Sequence, residues 1–427
     1  MKRRDYWSAE TNPETGKKFE QFLDYINLAH NGYMDVDKFI DSEYGEAFAQ
    51  RLQIRFLYED DAMGEECLAY YRSIGLKKEM YHEDDYYSRW VVFTPLEAES
   101  HPDRKYPLII SQHGGGSSIE TEEFSCGYPE IAAREGFMLL MLQNTNWDCV
   151  KETLELVKEK YPVDCERIYM SGLSQGGSQT NTALQRMPEL LTAVAPNSCD
   201  FYRTTDNFDV QFTEEEKSRV KKAVVPFIQT VGACDASYYV PLNFWQPRKS
   251  WDGKIGNPET FHHPQFDNEK DPTWIHDPEK GFRDAARLKM KKEPHWWMPH
   301  PSSPAPGVDV HRWAVARLNN RLESLGCAVR DVDQCIAYEK QPEDEYHHLL
   351  GFYADKEEVR EIFGCKHYFA DCFNEEGVNT FRFVVVDNFP HWQSLMMAEL
   401  CWDFFRQFKR DQSTGKLVCE NYKKSEQ

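Results

Sequence analysis

Five segments of this chain are apolar on both sides of the backbone, and that fact constrains its fold most. They are 106–112 (YPLIISQ), 137–142 (FMLLML), 167–172 (RIYMSG), 191–196 (LTAVAP) and 224–231 (VVPFIQTV). A strand with one wet face alternates apolar and polar residues. These do not alternate, so both faces must be covered, as in a parallel sheet with helices above and below. The stretches between them supply the helices: 128–135, 147–157 with Trp147, Val150, Leu154 and Val157 on one face, and 175–186. The pattern predicts an α/β fold with a mostly parallel, doubly wound sheet. In such sheets chemistry sits at the carboxyl ends of the strands.

The rhythm also sets the organisation. A strand is expected over 87–94, ended by Pro95, with strand signals beginning near Lys78. Residues 1–75 read as a helical extension, with Phe19, Phe22, Leu23 and Ile26 at helical spacing and Phe48 and Leu52 further on. Residues 243–345 break the pattern. They are rich in Pro and carry Trp245, Trp251, Trp274, Trp296, Trp297 and Trp313, with one helix at 312–325. This stretch is expected to be a long insertion, a lid or cap. The core is then 76–242 together with 346–427, where the sheet resumes at 380–386 (TFRFVVV) and a helix closes the chain at 395–408.

Gly172-Leu173-Ser174-Gln175-Gly176 lies between a strand and a helix. A serine on so tight a turn is lifted above the sheet, and residues two positions either side must be small to let the backbone close up. Ser174 is therefore the candidate nucleophile, with Gly172 and Gly176 supporting it. The Gln175 N–H at the helix start faces a developing oxyanion. His113-Gly114-Gly115-Gly116 follows strand 106–112 directly. Gly115 and Gly116 are expected to complete the oxyanion site, with His113 orienting the loop. The acid should follow a later strand and the base the last one. Asp235 comes after 224–231, and His391 lies between 380–386 and the closing helix. Asp387 is the main rival acid and Asp200 a weaker one. Of fourteen histidines most lie in the insertion or near the edges, among them His262, His263, His347 and His348, and His367 does not follow a strand.

Charge narrows the function classes. Fifty basic against 71 acidic residues give a net charge of −21, which argues against nucleic acid or an anionic membrane as partner. No apolar run approaches a membrane span, and no secretory signal is visible behind Met1-Lys2-Arg3-Arg4, so a cytoplasmic location is expected. The twelve cysteines are scattered without a C-x-x-C pair, and no H-E-x-x-H occurs, so neither metal nor cofactor is expected. Cys234, beside Asp235, is the thiol placed nearest the site.

HGGG after a strand, SGLSQGG, GACDASYYVP and NFPHWQSLMMAELCWDFF resemble the esterase and polyhydroxybutyrate-depolymerase-like branch of the α/β hydrolases, which includes feruloyl and acetyl-xylan esterase relatives. The resemblance covers roughly residues 88–240 and 378–410. It implies that Asp235, with Val240-Pro241 behind it, carries the acid and His391 the base. The expected function is a serine hydrolase that cleaves a small carboxylic ester, sugar- or aryl-linked, through an acyl-enzyme. A peptidase or amidase using the same residues is the alternative, and a non-catalytic binding protein of this fold a further one. The insertion's tryptophans would form either a stacking wall for substrate or the insertion's own core. A homo-oligomer is left open, as is a dimerising role for residues 1–75.

Overall fold

The computed structural model describes Phe22 and residues 34–203, 210–233, 235, 310–339 and 346–422. The apolar segments form one ten-stranded sheet. In chain order the strands are β1 (Leu76–Tyr81), β2 (Trp90–Pro95), β3 (Tyr106–Gln112), β4 (Met138–Leu142), β5 (Val163–Leu173), β6 (Ala193–Asn197), β7 (Phe227–Gly232), β8 (Lys356–Ile362), β9 (Cys365–Phe373) and β10 (Asn379–Val386). Their order in the sheet is β1-β2-β4-β3-β5-β6-β7-β10-β9-β8. Pairing is parallel from β4 through β10 and antiparallel at both margins. This is the mostly parallel, doubly wound α/β architecture that the sequence predicts.

Residue-by-residue alternation divides the core between the two faces. Leu108 and Ile110 of β3 point with Phe381, Phe383 and Val385 of β10 toward helices Trp147–Lys160, Gln175–Arg186, Glu214–Ala223 and Val310–Ser324. Ile109 and Val384 point the other way, toward helices Glu65–Ser73, Ile119–Cys126, Tyr128–Glu135 and Leu395–Phe405. All of these strand residues are fully buried, so each contributes roughly 1.5–3 kcal/mol of transfer free energy.

The helix expected at 312–325 is Val310–Ser324. It packs Ala314, Val315, Leu318 and Leu322 into the main core. The rest of the expected insertion up to residue 309, with five of its six tryptophans named above, lies outside the described residues. The helical reading of residues 1–75 corresponds to helices Val36–Ile40, Glu43–Tyr58 and Glu65–Ser73. Of the periodic quartet before them, only Phe22 is described.

Two boundaries and one pair of strands differ from expectation. The strand expected over 87–94 begins at Trp90, because Tyr86 and Tyr87 stand exposed in the preceding turn. The closing helix stops at Phe405, and Phe408 opens a short pair of strands, β11 (Phe408–Arg410) with β12 (Leu417–Cys419). The antiparallel strands β8 and β9 were not anticipated; in β8 the charged residues of KEEVREI hide the strand period. No helix among the described residues is long and apolar enough to cross a membrane.

Candidate active site

Ser174 follows the last residue of β5 and caps helix Gln175–Arg186. Its φ of 55° and ψ of −108° lie where a side chain is strained. The chain reverses so sharply that a Cβ added to Gly172 would stand 2.5 Å from the Gly176 carbonyl carbon. One added to Gly176 would stand 2.3 Å from the Gln112 carbonyl oxygen. The two glycines are there because backbone fills the space on both sides of the serine. The turn is pinned by the Ser174 N–H, which donates to the Asn197 carbonyl at 3.0 Å. Asn197 is held in turn by Thr230, whose N–H and hydroxyl both donate to its Oδ1 at 2.9 Å. The Gln175 N–H is the first of the helix, one of those without an intrahelical acceptor.

Residues 113–117 lie beside this turn. Ser117 N–H donates to the Gly114 carbonyl at 3.3 Å, closing a four-residue turn in which Gly116 has φ +71°. The added-Cβ position on Gly115 is 3.1 Å from Gln175 Oε1, and that on Gly114 is 3.8 Å from Ser174 Cβ. His113 Nε2 lies 3.0 Å from the Gln143 carbonyl and its Nδ1 2.8 Å from the Gly114 carbonyl. Both ring nitrogens face backbone carbonyls, so the ring ties the glycine turn to the end of β4. Gln143 adds to the hold. Its Nε2 donates to the Ser117 carbonyl at 3.3 Å, and its Oε1 accepts from the Ile119 N–H at 3.2 Å. Sequence reasoning missed Gln143, although it directly follows β4 and so sits at a strand's carboxyl end like the other residues of the site.

Asp235 and His391 meet. His391 Nδ1 lies 2.9 Å from each carboxylate oxygen of Asp235, and both residues are about 99 % buried. The Nδ1–H donates to the carboxylate, which fixes the tautomer and leaves Nε2 as the basic nitrogen. The pairing follows from strand order, since β7 and β10 are parallel neighbours and Gly232 registers with Val386. Gly232 is required here. A Cβ on it would fall 2.0 Å from the Phe389 carbonyl oxygen and 2.4 Å from that of Pro390. Gly232→Ala is therefore expected to push the His391 loop off the acid and to cost about 2–3 kcal/mol of stability. Thermal denaturation checks this, and a melting temperature equal to wild type would contradict it.

Leu173, next to Ser174, shares one buried cluster with Phe389 and Trp392 of the His391 loop. Phe39, Tyr44, Phe48 and Leu52 of the N-terminal helices complete that cluster. Phe22 meets Trp392 edge-on at 5.1 Å between ring centres. Thus the segment from which no chemistry was read forms the wall behind the histidine loop.

The rival groups are engaged elsewhere. Asp387 Oδ2 lies 3.5 Å from Lys38 Nζ, and Asp200 Oδ2 lies 3.1 Å from Arg317. His367 Nδ1 lies 2.9 Å from the Cys365 carbonyl, and burial holds its pKa below the usual imidazole value. His347 packs against Tyr338 and Tyr346. Cys234, His262 and His263 lie outside the described residues.

No protein-family model matches the chain. A curated relative, the bifunctional acetylxylan esterase/xylanase of Neocallimastix patriciarum, is 27 % identical over 104 residues. That match spans 22 % of this chain and only 16 % of the relative's length. Among solved structures, a thermostable esterase is 20 % identical with a TM-score of 0.28, over 37 % of this chain and 46 % of its own. The feruloyl esterase module from Clostridium thermocellum is 19 % identical with a TM-score of 0.29, over 37 % and 66 %. An S-formylglutathione hydrolase from Agrobacterium tumefaciens is 15 % identical with a TM-score of 0.30, over 37 % and 76 %.

Proposed function

We propose that this chain is a serine hydrolase that cleaves small carboxylic esters through an acyl-enzyme. The observation that carries the reading is a strained, part-exposed serine after β5, at the same carboxyl end of the parallel strands as the buried imidazole–carboxylate pair that follows β7 and β10. Strain at a polar side chain is retained where it presents a reacting atom. A buried Asp–His pair stabilises the imidazolium that forms when a hydroxyl gives up its proton.

The steps follow from these groups. Ser174 Oγ attacks the ester carbonyl carbon while His391 Nε2 takes its proton. The carbonyl π pair moves onto oxygen, where N–H groups of Gln175, Gly115 and Gly116 receive it. Collapse of this intermediate expels the alkoxide, which leaves with the proton held by His391. Water then repeats the sequence on the acyl-serine, releasing acid and restoring Ser174. Asp235 holds the imidazole in one tautomer throughout and accepts no proton. His113 and Gln143 keep the glycine turn in place.

The acetylxylan esterase named in the curated relative supports an acyl group borne on a carbohydrate as the substrate class. A panel of p-nitrophenyl acetate, methyl ferulate, an acetylated xylo-oligosaccharide and an acetyl p-nitroanilide tests the reading. Turnover of esters at least about a hundredfold above the anilide is expected, since the amide is the harder bond and no amine-protonating group beyond His391 is invoked. Preference for the anilide would replace the esterase by an amidase. Inertness toward every ester would end the proposal.

A further inference from the structure

Glu122 is buried beside this machinery, and no cation among the described residues pairs with it. It lies on helix Ile119–Cys126, directly after the glycine turn, and is 1 % exposed. One carboxylate oxygen accepts from Ser111 Oγ at 2.5 Å, and the other accepts from Gln393 Nε2 at 2.7 Å. Ser111 is on β3, the strand that runs into His113, and Gln393 is two residues beyond His391. Both donors are buried. One side chain thus bridges the loop holding the imidazole and the strand presenting the glycine turn, which join nowhere near each other in sequence.

We propose that Glu122 is a positioning residue that locks the His391 loop to β3 by accepting from Gln393 and Ser111. The inference rests on the hydrolase reading above and adds a group that touches neither substrate nor reacting atoms.

Charge is what makes this bridge informative. Burial pushes the Glu122 carboxyl up to about 7, and the bonds from Ser111 and Gln393 only partly offset it. The surrounding charges are committed elsewhere. Glu123, next on the helix, pairs with Lys78 at 2.7 Å. Arg51 of helix Glu43–Tyr58 donates to the Glu123 carbonyl at 2.6 Å and pairs with Glu130. Cys126, one turn on, is kept as a neutral thiol first by burial and then by Glu122 itself. On the loop side stand His391, bound to Asp235, and Ser394, bonded to the Tyr44 hydroxyl at 2.7 Å. An ionised Glu122 satisfies both of its donors. A protonated one has a hydrogen where Ser111 or Gln393 donates, so one arm must rearrange.

Glu122→Gln keeps the shape and removes the titration. With p-nitrophenyl acetate, kcat is expected to fall about tenfold with KM within about twofold, because a displaced base slows chemistry and leaves binding alone. The acid side of the wild-type kcat profile should contain two ionisations and that of the variant one. Melting temperatures give a readout independent of turnover. The folded carboxyl titrates near 7 against 4.5 for the ordinary group. The stability it contributes is therefore full below the lower value and is lost as pH rises through the upper one. The melting-temperature difference between wild type and variant should accordingly move against wild type from about pH 5 to about pH 8. A variant with wild-type kcat and pH profile, or a melting difference constant with pH, overturns the proposal while Ser174→Ala inactivity still upholds the hydrolase. Wild type inactive on every ester fails the underlying reading instead.

Discussion

Ser174→Ala is expected to lower ester turnover by about four to six powers of ten while the protein folds as before. The size of the loss follows from the proposed mechanism. Without Oγ there is no acyl-enzyme, and what remains is the smaller contribution of the N–H groups of Gln175 and the 113–117 turn. The folding result follows from the backbone. The turn is held by the Ser174 N–H and Asn197 carbonyl and by the close approach of Gly172 to Gly176, none of which involves the hydroxyl. Stability offers an independent check. Because φ is 55° at this position, Ser174→Gly should be more stable than Ser174→Ala by about 1 kcal/mol. Turnover above about one hundredth of wild type in the purified alanine variant would remove Ser174 from its role.

Asp235→Asn is expected to cost about 10⁴-fold in kcat with little change in KM. A neutral amide in place of the carboxylate cannot stabilise the imidazolium, and its NH₂ favours the tautomer with the proton on the wrong nitrogen. His391 Nδ1 contacts both Asp235 oxygens at 2.9 Å, so no rotation of the amide avoids placing a donor toward the ring or losing one contact. The comparison that gives this its force is Asp387→Asn. Asp387 meets the exposed Lys38 at 3.5 Å, a contact of the kind worth under about 1 kcal/mol, and its loss should leave kcat within about twofold. Steady-state kinetics on both variants separates the assignments. Severe loss at Asp387 with a mild effect at Asp235 would exchange them.

What was legible in the sequence was what backbone geometry forces on residue type. β3, β4, β6 and β7 were readable because strands buried on both faces must be apolar throughout. The turn at Ser174 was readable because backbone contacts near 2.5 Å admit only glycine at 172 and 176. Position after a strand pointed to His391 and to Asp235 with Asp387 as its rival, and it is Asp235 that the structure brings to His391 Nδ1 at 2.9 Å. Other features were hidden for equally physical reasons. β8 reads Lys-Glu-Glu-Val-Arg-Glu-Ile because it is an edge strand, where charge prevents further pairing, and such a run looks like a solvated helix or loop. Glu122 stands among Glu120 and Glu123, and nothing in that acidic run distinguishes the one that turns inward to Ser111 and Gln393. Arg321, wholly buried among Phe227, the Phe201 carbonyl and Asn181, reads as surface charge on a helix until the fold supplies its partners. Polar residues whose partners lie far away in the chain carry no local signature.

In the proposed mechanism the Ser174 hydroxyl, on the turn after β5, is made nucleophilic by the buried His391 imidazole at the same end of the parallel strands. Peptide mapping by mass spectrometry after reaction with a fluorophosphonate tests it most directly, run on wild type and His391→Ala. One adduct is expected, on the peptide containing Ser174, formed by wild type and reduced by about a thousandfold or more in rate in the variant. An adduct on another residue, or labelling of Ser174 at the same rate without His391, would contradict it.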